Sequence, residues 1–383
     1  MAAAVPNGHT AAGGDDAPPP SSSSSLVFLG TGCSSAVPNA RCLIQPPDPP
    51  CPVCSQSLSV PPELNPNYRH SISSYYCSLP PPRPRAVLGC EILPSCRGVR
   101  CNTSLLIDYC QDEGAHKYII IDVGKTFREQ VLRWFVRHKI PCVDSIILTH
   151  EHADAILGLD DVRVVQPFSP TNDIDPTPIY LSQFAMDSIS QKFPYLVKKK
   201  LKEGEEVRRV AQLDWRIIES DLQKPFTTSG LEFVPLPVTS STVFNCILFC
   251  YAFFLILYPY QVIHGEDYIC LGFLFGRKSK VAYVSDVSRF PPSTEYAISK
   301  SGGGQLDLLI LDCLYRTGSH NVHLCWDQTL DAVKRICPKR ALLIGMTHEM
   351  DHHKDNKTLE EWSRREGIDV QLAHDGLRVY IDL

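Results

Sequence analysis

LTHEHADAILGLDD, residues 148–161, decides how the rest of this chain is read. His150 and His152 stand one residue apart at the end of an apolar run, VDSIILTH (143–150). On an extended turn, residues i and i+2 can point the same way, so both imidazoles can reach one ion. Asp154 follows two residues later, and a Gly/Asp-rich loop comes after it. Neutral imidazoles and carboxylates with an open position for water make a reactive metal site. Position 155, where a further histidine would complete the set, is Ala.

The same grammar recurs outward from this stretch. LVFLG (26–30), NTSLLIDY (102–109) and KYIIIDVG (117–124) read as strands, and TGCSS follows the first as a turn. TFREQVLRWFVRHK (126–139) has helical spacing, with Val131, Leu132, Phe135 and Val136 on one side. VAYVSD (281–286) ends in Asp286, DLLILD (307–312) in Asp312, and RALLIGMTH (340–348) in His348. One strand with a polar end is ordinary. Four ending in Asp or His indicate a site, because α/β folds put chemistry where rigid strands meet exposed loops. TLDAVKRICP (329–338) reads as a helix between the last two strands, and Val37 to Pro62 as a Pro- and Cys-rich loop.

The 383 residues suffice for a large core, and 44% hydrophobic with 21% charged is a globular composition. A net charge of −5 without a dominant basic block disfavours binding to long nucleic acid. Residues 1–25 have no apolar core of a signal peptide, carry Asp15 and Asp16, and read as a disordered tail. The sixteen cysteines are therefore expected as thiols or metal ligands in a reducing compartment, cytoplasmic or nuclear. Cys42, Cys51 and Cys54 include CPVC, a knuckle suited to tetrahedral Zn2+.

THEHADA resembles the H-x-H-x-D-H signature of the metallo-β-lactamase fold, with the final His replaced by Ala155. GTGCSSAVP, IIIDVG, His264, Asp286 in SDVS and His348 in GMTHEMDHH continue the likeness in order. THEHADAILGLDD, AYVSDVSR and IGMTHEMDH are most similar to the branch containing the cyclic-phosphate phosphodiesterase of phosphonate breakdown. The resemblance implies an α/β fold, a four-layer αβ/βα sandwich, as a single hydrolase domain over 26–383. It implies that His150, His152 and His264 hold a first ion, that Asp286 bridges, and that Asp154 and His348 hold a second. Zn2+ or Mn2+ is implied, as one or two catalytic ions, with water or hydroxide attacking phosphorus and Asp154 orienting it. It also implies a structural Zn2+ on Cys42, Cys51, Cys54 and a histidine just past His348, either His352 or His353, with His352 taken as the ligand.

Ala155 weakens the second ion's site; Asp160, Asp161, His320 and His323 are the candidates to replace the lost imidazole. His320 and His323 are further candidates to touch substrate phosphate or protonate the leaving oxygen, and His323 is taken with Asp154 as catalytic. Asp312 can orient a ligand imidazole or simply end its strand, and Glu151 reads as solvent-facing or structural. The expected substrate is a small cyclic or nucleotide-like phosphodiester, and a homodimer is compatible with this reading. The rivals are a catalytically impaired metal-binding scaffold, an RNA-processing nuclease and a thioesterase.

Two segments depart from the family pattern, 70–100 and 239–263. In that pattern NPNYR (65–69) leads almost straight into CNTSLL, and PLPV (235–238) into HGED. The second segment is rich in Phe, Leu, Ile, Tyr and Cys, as translated pyrimidine-rich intron is. Both read as insertions, from retained introns or gene-model errors. A membrane anchor at 242–263 is the rival for the second, and association with a membrane is disfavoured.

Overall fold

The computed structural model describes residues 23–59, 100–169, 174–197, 210–240 and 268–383. Among them are fourteen strands in two sheets. They are β1 (Ser25–Gly30), β2 (Ser104–Cys110), β3 (His116–Ile121), β4 (Ser145–Ile147), β5 (Thr177–Leu181), β6 (Leu213–Ile217) and β7 (Phe226–Thr228). Then come β8 (Leu231–Thr239), β9 (Ile269–Phe275), β10 (Val281–Val284), β11 (Leu308–Asp312), β12 (Arg340–Ile344), β13 (Asp369–Leu372) and β14 (Arg378–Tyr380). One sheet runs β14-β1-β2-β3-β4-β5-β6 and the other β13-β12-β11-β10-β9-β8-β7. β3 to β6 are parallel in the first, and β10 to β13 in the second.

Period-two side-chain alternation explains why the sheets must stack. In β1, Leu26 and Phe28 face the core between the sheets, while Val27 and Leu29 face a second core under the outer helices. Leu308 and Ile310 of β11 repeat this from the other sheet, with Leu309 and Leu311 turned outward. Strands apolar on both faces need covering on both, which gives four layers. Each fully buried Leu, Ile or Phe contributes roughly 1.5–3 kcal/mol. Register matters, because a one-residue slip would exchange the two faces.

The helices are α1 (Ala40–Ile44), α2 (Pro52–Ser59), α3 (Phe127–Gln130), α4 (Val136–His138), α5 (Ala153–Ile156), α6 (Gln183–Lys192), α7 (Pro194–Val197), α8 (Pro292–Ile298), α9 (Trp326–Ile336) and α10 (His352–Glu366). α9 lies between β11 and β12, where a helix was expected. α10 also closes a sheet edge: Ser363 Oγ accepts from the Val370 N–H at 3.0 Å, and Asn356 Oδ1 from the Leu372 N–H at 2.7 Å.

Several expectations are corrected. The Cys-rich stretch expected as a loop contains α1 and α2. α3 and α4 are joined by a π turn, Val131–Phe135, that shifts the helix face. Phe127, Trp134 and Phe135 are buried, while Leu132 (64%) and Val136 (77%) are exposed. β1 begins at Ser25, inside the expected tail. Of the departing segments 70–100 and 239–263, only the flanking residues Arg100, Thr239 and Ser240 are among the described residues. Arg100 exchanges backbone hydrogen bonds with Val37, and Thr239 is the last residue of β8. The rest of both segments, with His264, lies outside the described residues. No helix among the described residues is long and apolar enough to cross a membrane.

Candidate metal centre

The parallel strands of both sheets deliver their C-terminal ends to one cleft. β3 supplies Asp122, β4 leads into Thr149 and His150, and β10 leads into Ser285 and Asp286. The cleft is also lined by Asp154, Ala155, His323, and Gly32 to Ser34 after β1. This is where open α/β sheets place ligands. A close backbone crossing completes it. A Cβ on Gly124 would stand 1.9 Å from the Asp154 carbonyl oxygen, so only glycine lets the turn after β3 press against α5.

His150 is held by a chain of hydrogen bonds. Asp122 accepts the Thr149 N–H at 2.9 Å and its hydroxyl at 2.7 Å. With its proton given to Asp122, the Thr149 oxygen accepts from His150 Nδ1–H at 2.8 Å. That assigns the tautomer and leaves the Nε2 lone pair free. Nε2 is buried, makes no hydrogen bond, and stands 3.9 Å from Asp286 Oδ1. A buried imidazole nitrogen that makes no hydrogen bond and faces a carboxylate fits a metal ligand. Asp122 itself sits in the left-handed region at φ 63°, which aspartate adopts more readily than most non-glycine residues. Burial lifts its carboxyl to about 7, against the pull of His150 and Thr149.

His150, His152 and Asp154 bring ligand atoms within 4.8 Å of one another. Asp154 lies in the first turn of α5, and His152 immediately precedes that helix. The His152 ring is T-shaped to His150 and stacks on Tyr268 at 5.2 Å with 6° between planes. The Tyr268 hydroxyl donates to Glu151 Oε2 at 2.5 Å. Glu151 is thus buried and structural, not solvent-facing. Burial and neighbouring His150 pull the His152 pKa down, so it is neutral and able to ligate at pH 7.

Asp286 faces two imidazoles, since His323 Nε2 also lies 3.8 Å from its Oδ1. Burial pushes Asp286 up, but His150, His323, Ser285 and His152 together bring it below the ordinary carboxylate range. His323 Nδ1 donates to Asp312 Oδ2 at 2.7 Å. Asp312 is therefore an orienting carboxylate rather than a plain strand end. Burial raises Asp312 to about 6 despite His323. Burial lowers His323, but Asp312, by charge and hydrogen bond, with Asp286 and Asp154 beyond, lifts it to about 10.

A second cluster lies beside this cleft. Cys42 on α1, Cys51, Cys54 on α2 and His348 after β12 bring their ligand atoms within 4.8 Å of one another. His348 Nδ1 is 3.5 Å from Cys42 Sγ and 3.4 Å from Cys51 Sγ. Three thiols and one imidazole are a tetrahedral zinc donor set. Burial, with Cys51 and Cys42 alongside, raises Cys54 to about 12; a bound cation would reverse that. The buried Arg100 guanidinium fixes the loop that carries His348 by donating to the Thr347 and Met350 carbonyls, both at 3.2 Å.

Two of the histidines expected from sequence therefore change places. His348 stands with the cysteines and not with Asp154. His352, expected there, is the first residue of α10 and turns to Asn356 and His374. The physical cause is Asp351, whose carboxylate accepts from the His353 and Lys354 N–H groups and starts the helix one residue before His352. Of the four replacements for the imidazole missing at Ala155, only His323 faces the cleft. Asp161 pairs with Arg128 and Asp160 with Arg163, while His320 packs against His323 and Tyr315. Asp122, Thr149 and Tyr268 were missed. Asp122 had a signal, as one more strand ending in Asp.

A profile of the β-lactamase superfamily domain matches residues 117–346. An octanoyltransferase of Porphyromonas gingivalis (strain ATCC BAA-308 / W83) is 25% identical over 283 residues, 73% of this chain and 46% of that protein. The chain thus spans about half the length of that curated relative. Among solved structures, a new diphosphatase from the PhnP family superposes with a TM-score of 0.61 at 24% identity, covering 94% of this chain and 98% of that one. Zn2+-bound PqqB from Methylobacterium extorquens superposes at 0.59 with 14% identity, covering 93% and 99%. With its two stacked sheets, its ligand cluster at their strand ends and the profile spanning most of its core, this chain belongs to the metallo-β-lactamase superfamily.

Proposed function

We propose that the chain is a metal-dependent hydrolase of small phosphodiesters. The observation that carries this is the unbonded, buried Nε2 of His150 facing Asp286 in a cleft shared with Asp154 and His323, with the His152 ring against His150. His150, His152 and Asp286 would hold the ion, with Asp154 and Asp286 the carboxylates for a second. When bound, a divalent cation supplies positive charge for a phosphate and acidifies water. Asp154 would accept a proton from the attacking water. His323, with Nδ1 fixed by Asp312 and Nε2 in the cleft, would hold a proton for the leaving oxygen. Thr149 and Asp122 keep His150 in its ligating tautomer.

The likeness to the PhnP-family diphosphatase supports phosphorus chemistry at the level of fold. Zn2+ at the Cys42, Cys51, Cys54 and His348 cluster would be structural, and Mn2+ or Zn2+ would serve in the cleft. Ala155 favours a second reading, a metal-binding protein with little turnover. Its methyl group lines the cleft where a ligand would stand, and His348 is engaged elsewhere.

Hydrolysis of bis(p-nitrophenyl) phosphate by Mn2+- or Zn2+-loaded protein tests the proposal. A His323→Ala variant is expected to retain metal and lose roughly 100-fold in kcat. No turnover of this diester, with thioester or β-lactam hydrolysis instead, would remove the phosphodiester reading. Metal uptake without turnover of any substrate would leave the binding-protein reading.

A further inference from the structure

Phe184 is 57% exposed in the first turn of α6 and takes no part in the chemistry above. Its backbone is fixed, because Ser182 caps that helix by accepting from the Ala185 N–H at 3.2 Å. Its ring meets Tyr268 edge-on, with centroids 5.8 Å apart and planes at 73°. Tyr268 in turn lies parallel to the His152 imidazole. Its hydroxyl is tied to Glu151, and the Glu151 carbonyl accepts from Lys192 Nζ at the far end of α6 at 2.7 Å. The result is a rigid aromatic wall that begins on a metal-site imidazole and ends in solvent.

Single exposed apolar residues are ordinary on protein surfaces. Phe184 differs because its ring continues the wall from His152. We infer that this wall seats a planar aromatic group of the substrate, of the nucleobase kind, on Phe184 while the attached phosphate lies at His150, His152 and Asp286. Phe184 presents an exposed ring braced on the buried Tyr268, and stacking on it tolerates any base. Phe184 is then a specificity residue, distinguishing aromatic from alkyl phosphate esters. The inference rests on the reading that the cleft takes phosphate esters.

The test is calorimetric titration of metal-loaded protein with adenosine monophosphate and with methyl phosphate, for wild type, Phe184→Ala and Phe184→Trp. Adenosine monophosphate is expected to bind about tenfold more tightly than methyl phosphate, with most of that preference gone in Phe184→Ala and kept in Phe184→Trp. Equal affinities in wild type, no binding of either, or a preference that survives Phe184→Ala would overturn the inference. Turnover of 2′,3′-cyclic adenosine monophosphate, followed in parallel, separates the two ideas. Preference without turnover keeps the wall and removes the phosphodiesterase reading, and turnover without preference does the reverse.

Discussion

Thr149 offers the cleanest residue-scale test of the metal centre. Its hydroxyl both satisfies Asp122 and receives the His150 Nδ1 proton. Thr149→Val keeps the shape and removes both bonds, so affinity for the cleft ion should fall about 10- to 100-fold, measured by competition with a chelator. An unchanged affinity would mean that His150 does not ligate through Nε2. Ala155→His should add one equivalent of metal and raise diesterase activity; unchanged metal content would show that position 155 does not border a second site. At this scale the sequence was partly legible. The grouping of His150, His152 and Asp286 was readable because each follows a strand end, where polarity interrupts an apolar run, and Asp154 because it stands two residues after His152 in α5. His348 and His352 were not distinguishable by spacing, since both follow β12 within one short stretch. What separates them is the helix start at Asp351: His352 must follow the face of α10, while His348 remains on the turn before it.

At the scale of elements, α1 and α2 bury little of their own. Their local core is Val37 and Val53 with Cys51 against them. A shared metal on Cys42, Cys51, Cys54 and His348 is the expected fastener of two such short helices. His348→Ala or Cys51→Ser should remove one equivalent of zinc and lower Tm by roughly 5 °C or more. His352→Ala should leave zinc content unchanged; loss of zinc in that variant would restore the pairing expected from sequence. The strands were legible because apolar runs of five or six residues between turns leave few alternatives. The buried side of the helix after β3 was not, because a π turn changes the period that a 3.6-residue reading assumes.

At the scale of the whole molecule, Asp375 joins segments far apart in the chain. It accepts from the Thr31 N–H and hydroxyl and from the Cys101 N–H at 2.7–2.9 Å. Burial lifts its carboxyl to about 6, against the pull of those bonds and of Arg133 and Arg100. Between its ordinary value of 3.8 and about 6, the folded protein holds a proton that the unfolded chain has released. Stability from this group is therefore full below pH 4 and declines as pH rises to 6, by at most about 3 kcal/mol. Denaturant midpoints across that range should be flatter in Asp375→Asn than in wild type; an identical slope would assign the dependence to other groups.

β8 and β9 pair up to the described residues on either side of 241–267. The Ser240 N–H donates to the Tyr268 carbonyl at 2.9 Å, and Thr239 pairs with Ile269 directly below. Closing a longer loop across a fixed gap costs only about 0.6 kcal/mol per doubling of its length. A change in chain length at this position is therefore expected to leave the sheets in place. Exons could be added or trimmed there while the reading frame of the fold stays intact. A chain with residues 241–263 excised should fold with the same two sheets and a midpoint within about 1 kcal/mol of the parent, and the mature transcript across this junction would tell which length the cell uses.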